Sequence, residues 1–187
     1  MCSTMIYRKA VLLITLFGLQ GLATAPVRAI TLNFAATLNT ATCTLSLNKS
    51  LLLLGTVAHS QLTANSLVQA APFILNVQAC EGTSANQTPT ITVSGEGMLQ
   101  GGKWLFRSSD SVAAGMGVML VKTDTPPNYN QAEIKNGDDI QLAEKGVNPL
   151  DQNITFYAGV TCGGSADCTN LQPGVLNARV LFNLVYR

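Results

Sequence analysis

Apolar side chains fall at every second position in several separate runs of this chain, and that spacing limits the possible fold more than any other feature. The runs cover residues 73–77, 90–94, 154–158 and 177–186. A period of two is typical of a β-strand with one buried face. Gly- and Pro-containing turn signals lie between the runs, and the one helical candidate, residues 60–71, has no convincing apolar stripe. The pattern predicts a single all-β domain, built as an antiparallel sandwich.

The first 29 residues have the layout of a secretory signal peptide. Arg8 and Lys9 precede an apolar run at 11–19, and small residues end the segment at 27–29. The apolar run is too short to span a membrane. We therefore expect cleavage before Ile30 during export.

Composition argues against several partners for the exported chain. Three of the 11 basic residues leave with the signal peptide, so eight remain against ten acidic residues, a formal charge of −2. No basic stripe interleaved with aromatic residues is present, which argues against nucleic acid as a partner. No later segment has the length and hydropathy of a membrane helix, so we expect an exported, soluble protein without membrane insertion.

Four cysteines remain after export: Cys43, Cys80, Cys162 and Cys168. An even number in an exported chain is typical of disulfides, and sequence proximity favours pairing the first with the second and the third with the fourth. A zinc site is the alternative interpretation, but there is no C-x2-C pair, and His59 is the only histidine. We expect two disulfides, no metal and no cofactor.

The N-terminus of the exported chain carries a strong strand pattern. Its apolar positions, which alternate with mostly polar residues, are Ile30, Leu32, Phe34, Ala36 and Leu38. A chain end of this kind is an aggregation hazard unless it docks somewhere. It is either the first strand of its own sandwich or a strand added to another molecule, where main-chain bonds give affinity and alternate side chains give specificity.

The C-terminus carries a second strand pattern that runs to the penultimate residue. An immunoglobulin-like sandwich has seven strands and ends with two neighbouring ones. The body of this chain shows only about six strong strand patterns, one fewer than a complete sandwich needs. If a strand is missing, a hydrophobic groove lies open beside residues 177–186.

Together these features resemble the chaperone–usher subunits of type 1 and P pili, over nearly the whole exported chain. An alternating strand comes shortly before Cys43, and residues 73–80 have the form F-x-hydrophobic-x-hydrophobic-x-x-C. A turn of small residues and glycine runs into a strand at 113–118. Gly174 is the fourteenth residue from the C-terminus, and Tyr186 is the penultimate residue.

The resemblance implies an incomplete immunoglobulin-like antiparallel β-sandwich that lacks its final strand and is completed by a donor strand. Residues 30–42 would be the donor-strand extension, and residues 43–187 the pilin domain. A periplasmic chaperone would first lend a strand and hold the C-terminal carboxylate. At an outer-membrane usher, the next subunit's donor strand would replace it. The acceptor groove would lie along Gly174, Ala178, Val180, Phe182, Leu184, Tyr186 and Arg187.

The same resemblance implies a structural subunit of a bacterial surface fimbria that passes through the periplasm and supports cell adhesion. Its partners would be the chaperone, the usher, neighbouring pilins and, through the assembled fimbria, a host-surface receptor. Ala36 departs from the family, whose donor strands usually carry glycine there. A bridge between Cys162 and Cys168 is not a general family feature, and we expect it to staple a glycine-rich turn.

Other functions have weaker support in the sequence. His59 and Ser60 have no G-x-S-x-G motif beside them, so we expect no enzyme. A receptor- or carbohydrate-binding tip adhesin would place a lectin domain before the pilin domain, and the 158 residues left after removing 29 from 187 have no room for one. A self-complete secreted immunoglobulin-like module would fold residues 30–38 back into its own groove.

Overall fold

The structure is a computed structural model that describes residues 41–164 and 167–187. The predicted signal peptide and donor strand lie outside these residues. Within them, the only helical element is a 3-10 turn at His59–Gln61, and no helix is long and apolar enough to cross a membrane. The strands are β1 (Thr42–Leu47), β2 (Val68–Glu81), β3 (Pro89–Ser94), β4 (Gly97–Gln100), β5 (Lys103–Phe106), β6 (Gly117–Lys122), β7 (Asp139–Gln141), β8 (Gln152–Thr161) and β9 (Leu181–Tyr186).

The strands form two antiparallel sheets. One has six strands in the order β1-β2-β8-β6-β5-β4, and the other has three in the order β7-β3-β9. The predicted antiparallel immunoglobulin-like sandwich is confirmed, because the inward faces of both sheets share one core. Strands β1 and β9, near the two ends of the described chain, each have a neighbour on one side only.

Three phenylalanines from the two sheets meet in the core. The Phe73 and Phe156 rings, on β2 and β8, stack with centroids 5.4 Å apart. Phe182 on β9 reaches across from the smaller sheet, with its centroid 5.2 Å from that of Phe156 and 6.1 Å from that of Phe73. Each residue belongs to an alternating run in the sequence, so the period of two places these rings between the sheets.

Two sequence predictions of secondary structure need correction. The final strand was expected to cover residues 177–186, but β9 begins at Leu181 because residues 177 and 179 bond to a loop instead of to β3. Strands β1, β4, β5 and β7 were not recognised as separate strands. The last three are only three or four residues long, too short to show a clear alternation.

Candidate functional site

Strand β9 offers its main-chain groups along one whole edge. Arg187 and Thr88 exchange both backbone hydrogen bonds, and the β9–β3 register then continues without a break. In such an antiparallel ladder, alternate residues direct both backbone groups at the partner strand. Val185, Asn183 and Leu181 therefore bond to β3. The residues between them direct their N–H and C=O groups to the other edge, where no described strand lies.

The same alternation continues before β9, where a loop takes the place of β3. The Ser108 N–H donates to the carbonyl of Asn177 at 2.8 Å, and the Ser108 Oγ accepts the Arg179 N–H at 3.1 Å. The Ser111 hydroxyl donates to the Asn177 carbonyl at 2.9 Å and accepts its N–H at 3.0 Å. Odd-numbered residues are thus bonded to the body of the domain from Asn177 onwards.

The even-numbered residues of this segment form what we call the acceptor edge. Their backbone groups face away from β3 and the loop, and their apolar side chains are partly buried against the core. Apolar side chains pointing inward beside unpaired main-chain groups are the requirements for adding one more strand. The acceptor edge consists of Leu176, Ala178, Val180, Phe182, Leu184 and Tyr186.

A second segment runs beside the acceptor edge in the opposite direction, and we call it the opposite rim (residues 43–57). Its inward side chains are also only partly buried against the core, and no backbone hydrogen bond joins residues 50–57 to residues 176–186 in the described chain. The acceptor groove that the sequence predicts would lie between the two segments. The inward side chains of the opposite rim are Cys43, Leu45, Leu52, Leu54 and Val57.

The two segments approach each other at both ends of the groove. At one end, the Tyr186 hydroxyl lies 3.5 Å from the Sγ of Cys43. We call this the Tyr186 end. At the other, Leu54 and Leu176 pack on a cluster that contains Leu62, which we call the Leu176 end. Burial raises the pKa of the Tyr186 hydroxyl above its usual value, so the hydroxyl is neutral at physiological pH.

Both disulfides expected from sequence proximity are present. Cys43 on β1 is joined to Cys80 on β2, which fixes the first strand at the Tyr186 end of the groove. Cys162 is joined to Cys168 and is fully buried at the Leu176 end. Gly163 and Gly164, which follow Cys162, lie against the β4–β5 turn at Gly101.

Gly174 and Arg187, both predicted to belong to the groove edge, lie just beyond its two ends. Gly174 has a φ of +155°, and a Cβ there would lie 2.7 Å from the backbone nitrogen of Ala113. It therefore permits the close approach of two chain segments at the Leu176 end. The Arg187 guanidinium lies 3.2 Å from the Asp139 carboxylate, on the outer face of the smaller sheet.

His59, Asp138 and Asp139 are residue types from which a reactive or metal site could be built. His59 is exposed in the 3-10 turn, Asp138 lies just before β7, and Asp139 is the first residue of that strand. In the part of the chain that the structure describes, no three His, Cys, Asp or Glu side chains group as metal ligands. Trp104 and Phe106 pack edge to face as part of the core.

Sequence reasoning missed the opposite rim and the first position of the acceptor edge. Residues 51–54 are four consecutive leucines, and such a run hides the alternation between Leu52 and Leu54, which point inward, and Leu51 and Leu53, which are more than 70% exposed. Leu176 could have been found, because it lies two residues before Ala178 and continues the same parity.

The sequence matches no protein-family profile and no curated protein. Among solved structures, the P pilus rod subunit PapA is similar over 84% of this chain and 100% of its own, at 17% identity and a TM-score of 0.48. A chaperone–usher pilus structure that addresses rod uncoiling is similar over 88% of this chain and 99% of its own, at 18% identity and a TM-score of 0.50. The second of these likenesses shows the fold: the chain has the fold of a chaperone–usher pilin, an incomplete immunoglobulin-like sandwich.

Proposed function

We propose that this chain is a structural subunit of a bacterial surface fimbria, and that it polymerises by donor-strand exchange. The observation that carries the proposal is the acceptor edge, because over residues 176–186 it combines main-chain groups that have no partner strand among the described residues with six inward apolar side chains. An edge of this kind is a template for strand addition. The fold shared with solved pilus structures supports the same function.

The predicted donor strand fits the acceptor edge in length and pattern. Its five apolar positions between Ile30 and Leu38 span eight residue intervals, or about 26 Å at about 3.3 Å per residue. The acceptor edge spans ten intervals, or about 33 Å by the same rise. The groove therefore accommodates all five side chains of a neighbour's donor strand in alternate positions.

Burial of the donor side chains would be strong enough to hold a joint. Each large aliphatic or aromatic side chain contributes roughly 1.5–3 kcal/mol when fully buried. Four such residues, Ile30, Leu32, Phe34 and Leu38, would contribute about 6–12 kcal/mol before the cost of ordering the strand. Ala36, the smallest of the five side chains, adds little and fills the least volume of the groove. The joint needs no nucleotide and no covalent step.

Assembly of such a joint requires protection of the groove before the neighbour arrives. We infer that a periplasmic chaperone occupies the groove first, and that the exchange takes place at an outer-membrane usher. The C-terminal residue favours this route, since Arg187 is held to Thr88 through its backbone at the Tyr186 end of the edge. The chaperone would bind the carboxylate of this residue, beside the strand that it lends. The finished fimbria would stand on the cell surface and support adhesion.

The proposal is tested by giving the exported chain its own donor strand. A second copy of residues 30–38 is joined after Arg187 by a short flexible linker, and thermal unfolding is followed by circular dichroism. A gain of several kcal/mol should raise the midpoint by more than about 10 °C, because 1 kcal/mol is worth about 2–8 °C in domains of this size range. The same variant should no longer polymerise.

A matched control carries asparagine in place of Leu32 and Phe34 in the appended copy only. This control keeps the linker and the main-chain length but removes two anchors, so it should melt close to the unextended chain. If all three proteins melt at one temperature and the unextended chain stays monomeric, the sandwich is already complete. The donor-strand proposal is then wrong.

A further inference from the structure

If residues 30–38 act as the donor strand, the place where they join the domain decides how successive copies meet. The described chain begins at Ala41, which is buried, and Cys43 is fixed to Cys80 at the Tyr186 end. The chain that precedes Ala41 therefore joins the domain at the Tyr186 end. A contact between successive copies rests on the proposed function.

The direction of the donor strand in the groove decides which end of the neighbour it meets. A donor strand parallel to β9 would bring the next domain to the Tyr186 end, where the copy's own donor strand already leaves. Both neighbours would then compete for one end. A donor strand antiparallel to β9 brings the next domain to the Leu176 end. Only this direction lets one interface repeat head to tail into a filament.

The connection between donor strand and domain is very short. Only Asn39 and Thr40 separate Leu38, the last donor position, from Ala41. Three Cα–Cα steps of about 3.8 Å reach at most about 11 Å. With Leu38 near Leu176 of the preceding copy, the Tyr186 end of one domain must therefore lie against the Leu176 end of the other.

Exposed apolar side chains lie at both of these ends. At the Leu176 end, Val112 and Val175 are 69% and 62% exposed, and the Val112 N–H donates to the Val175 carbonyl at 2.8 Å. At the Tyr186 end, Val147 and Leu150 are 50% and 83% exposed. They lie in the loop before β8.

Hydrogen bonds fix that loop at the Tyr186 end of the domain. The Thr83 N–H donates to the Asn148 side chain at 2.9 Å, and the Ala79 N–H donates to the Asp151 carboxylate at 3.0 Å. The Gly146 N–H donates to the Gln87 carbonyl, one residue before the Thr88 that pairs with the C-terminus. Val147 and Leu150 are therefore held beside the end that faces the preceding copy.

We propose that these two pairs form a contact between successive copies of this chain: Val112 and Val175 of one copy pack against the surface around Val147 and Leu150 of the next. The occupant of each surface is a second copy, because the short connection leaves no room for another protein between the domains. The contact buries side chains that are otherwise in water. It therefore adds to the stabilisation by the donor strand and slows dissociation of the filament further.

The contact is tested with two double variants of the exported chain, Val112→Glu with Val175→Glu and Val147→Glu with Leu150→Glu. First, each freshly refolded protein is melted with and without a synthetic peptide of residues 30–38. The gain in melting temperature reports peptide binding to the groove, independently of any contact between domains. Filaments are then formed and diluted, and their dissociation is followed by light scattering. Leu99→Glu is the control, since Leu99 is 69% exposed on β4, the strand at the far edge of the larger sheet from β1.

The peptide should raise the melting temperature of both double variants as much as it raises that of the unaltered chain. Filaments of both variants should dissociate at least tenfold faster than filaments of the unaltered chain. Leu99→Glu should match the unaltered chain in both measurements. If the peptide stabilises every protein but either double variant forms filaments of unaltered lifetime, the end contact is wrong and the donor-strand joint stands. If the peptide stabilises none of them, including the unaltered chain, the proposed function itself fails.

Discussion

The hydroxyl of Tyr186 lies 3.5 Å from the Sγ of Cys43, a residue 143 positions earlier in the chain. Because Cys43 is bonded to Cys80 and carries no thiol hydrogen, the tyrosine hydroxyl is the donor. This contact joins the penultimate residue to the first strand and closes one end of the acceptor groove. It is the one place where a side-chain hydrogen bond of the described chain links the opposite rim to the acceptor edge.

Replacing Tyr186 with phenylalanine should lower the free energy of unfolding by about 0.5–1.5 kcal/mol, the usual net value of one hydrogen bond. The pKa of Tyr186 is raised in the folded state, so its stabilising effect is full below the unfolded pKa, near 10, and is lost as the pH rises through the folded value. Urea denaturation measures the free energy of unfolding at pH 7 and at pH 10.5. The decrease between these two pH values should therefore be smaller for the variant than for the unaltered protein.

Tyr157→Phe is the control for that experiment, because the Tyr157 hydroxyl makes no hydrogen bond within the described chain. Its stability should stay within about 0.5 kcal/mol of the unaltered protein. Equal losses for the Tyr186 and Tyr157 variants would mean that the contact with Cys43 contributes nothing.

The serines that hold the first half of the acceptor edge should control its local opening. Ser108 is 1% exposed, and its Oγ accepts the Arg179 N–H, while the Ser111 hydroxyl bonds both backbone groups of Asn177. Replacing both serines with alanine should speed hydrogen exchange at the Asn177 and Arg179 amides by about tenfold or more, since an unmade buried hydrogen bond costs about 1–3 kcal/mol.

The Asn183 and Val185 amides are the internal control in the same exchange experiment, because they bond to β3 and not to the serine loop. Their exchange rates should change little. If all four amides accelerate together, the edge opens as one unit, and the serines do not act locally.

A buried carboxylate should give the protein a sensitivity to acid. The Glu133 side chain is 5% exposed and lies 2.9 Å from the Lys103 ammonium. Burial raises its pKa, but hydrogen bonds from Lys103 and the Trp104 N–H outweigh that effect, so the pKa of Glu133 is below its usual value. Its contribution is therefore full above the unfolded pKa and is lost as the pH falls through the folded value.

Glu133→Gln should lower the free energy of unfolding at pH 7 by about 1–3 kcal/mol and flatten its decline between pH 5 and pH 3, an interval set by the usual pKa of about 4.3. Chemical denaturation at several pH values measures both effects. Glu144→Gln, at an exposed position, serves as the control and should follow the unaltered curve. A Glu133 variant with the same acid decline as the unaltered protein would show that another carboxylate is responsible.

The period of two was sufficient to predict the all-β sandwich and the inward residues of the last strand. Phe73, Phe156 and Phe182 all lie on predicted alternating runs and meet in the core. The even number of cysteines after the predicted signal peptide, and their proximity in the sequence, were enough to predict both disulfides. These features depend on short-range pattern or simple counting, which a sequence displays directly.

Features that depend on contacts between distant loops were not predictable. The Ser108–Ser111 loop replaces a strand as the partner of Asn177, and nothing in its local sequence indicates that role. Glu133 is 30 residues from Lys103, and its burial follows from the way its loop folds over β5. The opposite rim was hidden because four consecutive leucines give no period at all.

Substitutions at two neighbouring residues of β9 should have different effects on stability, because one side chain lies on the inner face of the strand and the other on its outer face. Phe182 contacts Phe73 and Phe156 in the core, whereas Leu181 is 62% exposed on the opposite face of the strand. Phe182→Ala should lower the free energy of unfolding by about 3 kcal/mol, the lower part of the range for such truncations, because the ring is only partly buried. Leu181→Ala should cost less than about 0.5 kcal/mol.

The same pair of variants distinguishes a groove position from an ordinary core position. Phe182→Ala removes part of the surface that the peptide of residues 30–38 would cover, so the peptide's affinity should fall at least tenfold, measured by calorimetry on protein that remains folded. Leu181→Ala should bind the peptide as the unaltered chain does, because its side chain points away from the groove. A Phe182 variant that is destabilised yet binds the peptide with unaltered affinity would place the donor strand elsewhere on the domain.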